Sequence, residues 1–193
     1  MKLDRVRMIT LCAMFAAVTA IFAQITIPIP VVPISGQTLA VGLTATILGS
    51  RYGAIAMICY VALGAIGLPV FAEAKGGAQV LVGPTGGYIF GFIVTAYVTG
   101  WILERTKFNL TWALVANTIG MIITLLMGCV QLKFVLDMSW TEAFYAGVYP
   151  FIAVGLIKAF LASSIGVTVR NRLIQAKLLR VNNSGSQLEK ATS

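Results

Sequence analysis

The residue with the clearest chemical role in this sequence is Lys158, a lone cation in an apolar stretch. It lies within residues 148–169, which carry no other charge and are long enough to cross a bilayer. A lysine at the centre of a membrane helix costs about 2.5–3.5 kcal/mol on insertion scales, so such a residue usually faces a cavity and has a partner. All six acidic residues lie outside the predicted spans. Lys158 therefore predicts a carboxylate ligand that binds within the membrane.

Polar and aromatic residues in other apolar runs predict the rest of this site. Amides both donate and accept hydrogen bonds, which suits a neutral ring with N–H and C=O groups. Glycines such as Gly87 either let helices pack closely inside the bundle or leave room for a ligand against bare backbone. Aromatic rings supply apolar walls. For each amide the alternative, a hydrogen bond between helices, stays open. The predicted ligand-binding residues are Lys158, Gln37, Gln79, Thr85, Gly87, Tyr88, Asn117 and Phe151.

The elements that must position these residues are membrane helices. The sequence is 59% hydrophobic and 10% charged, with a mean hydropathy of +0.92, whereas soluble domains carry about 25% charged residues. The apolar runs predict an all-α integral membrane protein with six transmembrane helices in a single bundle. The predicted substrate-binding domain covers residues 1–182, and residues 183–193 are expected to form a disordered polar tail. The predicted spans are residues 8–25, 37–50, 53–68, 84–103, 110–132 and 146–169.

The basic residues predict the orientation of the bundle. If the chain starts in the cytoplasm and the six spans alternate, eleven of the 14 Lys and Arg residues fall in cytoplasmic segments. Only Lys75 and Lys133 are then external, and Lys158 is embedded. This bias is the one that the positive-inside rule describes. The sequence therefore predicts a multi-pass protein of the cell membrane with both termini in the cytoplasm, and the basic charge does not indicate nucleic-acid binding.

Two external segments and one row of small residues suggest further roles. Residues 27–35 contain three prolines and are apolar, so they cannot form a regular helix. We expect either this segment or residues 69–83 to cover a site. Ala13 and Ala17 lie one turn apart on the first span, where small residues let helices approach closely. That row predicts either docking to another membrane protein or packing inside the bundle.

Several function classes lose support. The sequence has no histidine, no Gly-x-Ser-x-Gly or His-Glu-x-x-His motif and no phosphate-binding loop. We therefore expect no enzyme activity, no metal and no cofactor. A Schiff base on Lys158 would need a carboxylate counter-ion, and a channel would need repeated pore rings. The alternatives that remain are a stand-alone secondary carrier for a small carboxylate solute and a scaffold that transports nothing.

The same residues resemble a known family. Residues 33–41 (PISGQTLAV), 64–71 (GAIGLPVF) and 83–92 (GPTGGYIFGF), with Pro150, Phe151 and Lys158, are similar to BioY, the biotin-specific substrate-binding (S) component of energy-coupling factor (ECF) transporters. The resemblance implies high-affinity capture of biotin from the external side. It also implies docking through Ala13 and Ala17 to a transmembrane coupling (T) protein, with two cytoplasmic ABC ATPases supplying the energy.

The sequence departs from the family pattern at one position. Family members often read Pro-Phe-x-x-Gly-Asp-x-x-Lys near the sixth span, and Gly155 stands here where the aspartate is expected. The resemblance implies that this acid accepts from the ureido ring or pairs with the lysine. Its role either passes to a residue such as Gln79 or is lost.

Overall fold

The computed structural model describes residues 2–179, and the predicted polar tail over residues 183–193 lies outside them. Within the described residues the chain forms seven α-helices and one two-stranded antiparallel sheet. The helices are α1 Lys2–Ala23, α2 Gln37–Ala65, α3 Ala78–Val82, α4 Gly86–Arg105, α5 Leu110–Val135, α6 Trp140–Gly147 and α7 Tyr149–Gln175. The strands are β1 Thr26–Ile27 and β2 Ile34–Ser35, and a 3-10 turn covers Ala72–Ala74.

Helix α2 is a hairpin of two arms and crosses the bundle twice. The backbone is non-helical at Gly49, with φ +81° and ψ −172°. Gln37 Nε2 lies 2.6 Å from the Tyr60 hydroxyl, although 23 residues of straight helix would separate them by about 34 Å. The arms 37–48 and 50–65 therefore run antiparallel. Together with α1, α4, α5 and α7 they give six crossings, which confirms the predicted all-α six-helix bundle.

The turn of this hairpin is held by charged side chains. Ser50 donates from its backbone N–H and its hydroxyl to the Glu104 carboxylate, at 2.8 and 2.6 Å. The Arg170 guanidinium donates to the Ile47 carbonyl at the end of the first arm. A carboxylate at a helix N-terminus and a cation at a C-terminus both complement the helix dipole. The hairpin can therefore turn tightly without leaving its end groups unpaired.

Several predicted boundaries differ from the observed ones. The spans predicted at residues 37–50 and 53–68 form one helical element that is interrupted only at Gly49, so five helices, with α6 and α7 taken together, are long and apolar enough to cross a membrane. Helix α1 begins earlier than residue 8, and α7 continues beyond residue 169. The short helices α3 and α6 were not predicted, because five and eight residues are too few to show a helical period.

The bundle has two distinct ends. Arg7 donates to the carbonyl of Lys177 at 2.7 Å, so α1 begins where α7 ends; we call this the termini end. The sheet, α3, α6 and the 3-10 turn all lie at the opposite end, which we call the cavity end. Helix α4 packs between α2 and α5, and α1 packs mainly on α2. Many large apolar side chains remain exposed around the bundle, as lipid-facing surfaces require.

Candidate ligand-binding site

A cavity of about 530 Å³ opens at the cavity end of the bundle. This volume lies in the range of small-molecule pockets, about 300–1,000 Å³. Residues 29–33 and most of residues 71–75 line it together with side chains of α2, α4, α5 and α7. Both segments that the sequence singled out as possible covers therefore line the same cavity.

The Phe71 side chain anchors the second of these segments. It is 1% exposed and packs edge-on against Tyr60, with ring centroids 5.6 Å apart. A Cβ on Gly64 would overlap the Phe71 ring. The ring can therefore pack there only because Gly64 has no side chain. The Tyr60 hydroxyl donates to the Val70 carbonyl at 2.9 Å. These contacts fix the backbone that enters the cavity wall.

Lys158 lies at the inner part of this cavity, and it has neutral partners that the sequence did not reveal. Its Nζ donates to the Ser35 carbonyl at 2.7 Å and to the Thr38 hydroxyl at 3.2 Å. Among the described side chains no carboxylate lies within salt-bridge distance of Lys158. The two partners of Lys158 are therefore neutral groups. The third N–H of the ammonium is left for a ligand.

Gln37 faces the cavity but is partly engaged by the protein. Its Oε1 accepts from the Ser35 hydroxyl at 2.7 Å, and its Nε2 donates to the Tyr60 hydroxyl at 2.6 Å. One amide hydrogen and one lone pair remain for a ligand. Ser35 bonds Lys158 through its backbone carbonyl and Gln37 through its hydroxyl. Lys158, Ser35, Gln37 and Tyr60 therefore belong to one connected network.

Asn117 lies deeper, at a second cavity of about 40 Å³ that shares Lys158 with the first. Its Nδ2 faces the hydroxyls of Thr46 and Ser163, at 3.0 and 3.1 Å, and the Ala113 carbonyl. Both hydroxyls donate their own proton to a carbonyl one turn earlier, so they present only lone pairs. The amide orientation is therefore fixed, and Oδ1 is the atom that faces Gly42 and the small cavity.

Thr124 borders both cavities with a hydroxyl whose proton is also committed. Thr95 donates to the Gly120 carbonyl at 2.8 Å, which uses its only hydroxyl proton. The Thr124 hydroxyl lies 2.7 Å from Thr95 Oγ1 and must be the donor of that bond. Towards a ligand, Thr124 is thus an acceptor only. Thr124 was not among the predicted site residues, because in the sequence it stands one turn from both Gly120 and Gly128 and so resembles a helix-packing position.

The remaining predicted residues fall into two groups. Tyr88 and Phe151 line the cavity as an aromatic pair with centroids 6.1 Å apart, and the Tyr88 hydroxyl is bonded to the Gly147 carbonyl. Gln79 and Thr85 also line it. Gly87 does not line the cavity: a Cβ there would meet the Met127 carbonyl and the Gln131 side chain. Gly87 instead lets α4 pack closely against α5.

Comparison with known proteins identifies the group to which this arrangement belongs. Residues 1–175 match the BioY family. The chain belongs to the BioY family.

Relatives of this BioY-family chain match most of its length. It is 39% identical to the biotin transporter BioY2 of Lactococcus lactis subsp. cremoris, over 83% of this chain and 88% of that one. It is 42% identical to the biotin transporter BioY of Thermotoga maritima, over 85% and 96%. A crystal structure of the S-component for biotin from an ECF-type ABC transporter superposes with a TM-score of 0.82 at 28% identity, covering 89% and 94% of the two chains.

The departure from the BioY pattern at Gly155 has a structural counterpart. A Cβ on Gly155 would collide with Sδ of Met121, a neighbour on α5. The thioether therefore occupies the space that an aspartate side chain would need, and both residues line the small cavity. A methionine fills irregular space well but brings no strong hydrogen-bond acceptor. Thr124 and the side-chain oxygen of Asn117 are acceptors that line the same small cavity as Lys158.

Proposed function

We propose that this chain is the biotin-capture S component of an ECF-type ABC importer. One observation carries the proposal: a BioY-family bundle holds a cavity of about 530 Å³ in which Lys158 has no carboxylate partner among the described side chains. An S component binds its ligand and leaves ATP hydrolysis to partner subunits. The absence of a phosphate-binding loop from the sequence agrees with that division of work.

Biotin matches the chemistry that the cavity offers. Its carboxylate would take the free N–H of Lys158 and supply the missing negative charge. Its ureido ring has two N–H groups and one C=O, for which Gln37, Gln79, Thr85 and Asn117 offer donors and acceptors. Its sulfur ring and aliphatic chain suit the walls formed by Tyr88 and Phe151. In this proposal Gly87 acts indirectly, because it lets α4 approach α5 closely.

The orientation follows from charge. The termini end carries most of the arginines and lysines, and the positive-inside rule places such an end in the cytoplasm. The cavity then opens to the outside, where a scarce vitamin must be captured. The small-residue row supports a partner surface on α1, since Ala13 and Ala17 are exposed whereas Ala16, on the neighbouring row, is buried. We assign that exposed row to docking against the T protein that carries two ABC ATPases.

Uptake of labelled biotin tests the proposal against the stand-alone carrier. The chain is expressed in a biotin-auxotrophic host with and without a T protein and ATPases, and with an ATPase variant that cannot hydrolyse ATP. The S-component proposal predicts accumulation against a gradient only with active ATPases. Equal accumulation in a host that lacks every coupling ATPase would favour the carrier. Failure to bind biotin at micromolar concentration in purified form would reject the S-component proposal.

A further inference from the structure

Residues 71–75, which we call the cap segment, form part of the wall of the large cavity. Phe71, Ala72, Glu73 and Lys75 all line it. Part of the segment is a 3-10 turn, closed by backbone hydrogen bonds from Phe71 N–H to the Lys75 carbonyl and from Lys75 N–H to the Ala72 carbonyl. The cap segment therefore has its own internal shape, and that shape decides how far the cavity is closed.

The cap segment is strained at two successive residues. Glu73 has φ +61° and Ala74 has φ +54°. Residues other than glycine rarely adopt this left-handed conformation, and they keep it only where the surrounding structure holds them. A contact from outside the cap segment must therefore hold this backbone in place.

The Gln24 side chain supplies that constraint. Gln24 follows directly after the end of α1, and its Oε1 accepts from the Ala74 N–H at 3.0 Å. Its Nε2 donates to the Phe71 carbonyl at 3.2 Å and to the Ala20 carbonyl at 3.1 Å. One amide thus bonds the backbone on both sides of Glu73 and ties it to the last turn of α1. The side chain is exposed, so water competes for these bonds and they can open on their own.

The other cavity segment is attached to the same end of α1. The Gly36 N–H donates to the Ile25 carbonyl at 2.9 Å, and strand β1, which follows α1, pairs with β2. Ser35 in β2 in turn accepts from Lys158. Helix α1 itself packs mainly on α2 and is the long helix with few other neighbours. Both cavity segments thus depend on the position of the end of a peripheral helix.

We propose that Gln24 is a positioning residue that holds the cap segment closed over the cavity, so that ligand entry and release require its amide to leave Phe71 and Ala74. A displacement of the last turn of α1 would open the cavity by breaking these same bonds. The identity of the ligand, biotin, rests on the proposed function. The state of the cap segment does not depend on it.

The test measures the cap segment and the ligand separately in the purified full chain. Two neutral hydrogen bonds that are exposed to water, and so lie in the lower part of the usual range of net strength, correspond to about a tenfold change in an opening equilibrium. Gln24→Ala should therefore raise amide hydrogen exchange in residues 71–77 and the dissociation rate of labelled biotin, each by about tenfold. Thr10→Ala is the matched control, because Thr10 lies on α1 and bonds only the Val6 carbonyl. It should change neither quantity.

A second variant separates positioning from general damage. Ala74→Gly removes the cost of the left-handed conformation, so the double variant Gln24→Ala with Ala74→Gly should regain at least half of the lost closure. Rates within twofold of wild type for Gln24→Ala, in exchange and in dissociation, would overturn the inference. If the wild-type chain does not bind biotin, the proposed function fails, and the exchange measurement still decides whether Gln24 holds the cap segment.

Discussion

The two ends of the bundle are built differently. At the termini end, the α2 hairpin turns at Gly49 and is fixed by two ionised side chains, Glu104 and Arg170, that cap helix ends. At the cavity end, short and irregular segments surround an open volume. Lys158 donates to the Ser35 carbonyl there, but neutral side chains such as Gln24 and Tyr60 tie residues 70–74 to the bundle. Stronger, charge-assisted bonds therefore fix the hairpin turn, whereas weaker neutral bonds hold the segment over residues 70–74. The difference indicates that the termini end secures the fold while the cavity end is able to open.

The largest effect that we expect is the loss of energised uptake on changing α1 between the two ends of the bundle. It would show that biotin binding and energised uptake depend on different surfaces. Ala17→Trp places a large ring on the exposed row of α1, where it blocks close approach of another helix. Energised uptake should be abolished, while biotin binding to the isolated chain should stay within twofold. Binding is measured by calorimetry and uptake in cells with all partner subunits. Joint loss of both activities would assign the row to folding, and Leu126→Trp, which is exposed on α5 away from that row, controls for added bulk.

Replacing Gly49 tests whether the termini end carries the stability. Gly49→Ala puts a Cβ into the Glu104 carboxylate and forces an alanine into a conformation that only glycine adopts readily. The free energy of unfolding should fall by roughly 2 kcal/mol, and the midpoint by about 4–8 °C, with biotin affinity unchanged in the folded fraction.

The matched control for this change is Gly67 at the cavity end. Its φ is +104°, and no atom lies within 4 Å of the position that a Cβ would take there. Gly67→Ala should cost less than Gly49→Ala, because it adds strain without a clash. An equal or larger loss at Gly67 would contradict the assignment of stability to the termini end.

An effect of similar size is expected at the site itself, from the pair Gly155 and Met121. Gly155→Asp alone overpacks the space that the Met121 thioether fills and should lower the free energy of unfolding by about 1–3 kcal/mol. Adding Met121→Ala should recover at least half of that loss, since contacting residues are not additive. Thermal unfolding of both single variants and the double variant measures the coupling. Strict additivity would mean that Met121 does not occupy the aspartate position.

The sequence predicted much of the fold because the physics of the bilayer is simple. Apolar runs of sufficient length must be helices, and the basic residues fix an orientation to test. The sequence predicted two separate spans, over residues 37–50 and 53–68, where the structure has two antiparallel arms. It did not show that the turn between them lies at Gly49. The helix α6 was missed, since eight residues that end beside another helix carry too little periodicity.

The site was predicted by residue type and not by geometry. Lys158 stood out because charge is costly in a membrane, whereas the partners Ser35 and Thr38 come from a segment more than a hundred residues away. The orientation of Asn117 depends on where the Thr46 proton points, which no spacing reveals. Gln24 follows an apolar helix as an ordinary polar residue, and only the folded backbone shows which groups it holds.

Calorimetric titration of biotin and of biotin amide into the wild-type chain and into Lys158→Ala decides whether the ligand carboxylate pairs with Lys158. We expect wild type to bind biotin, and either change to weaken binding by at least tenfold, about 1.4 kcal/mol. Lys158→Ala should lose little further affinity when the ligand is the amide, because the same charge pair is already missing. Binding of biotin that is indifferent to both changes would contradict the pairing of its carboxylate with Lys158.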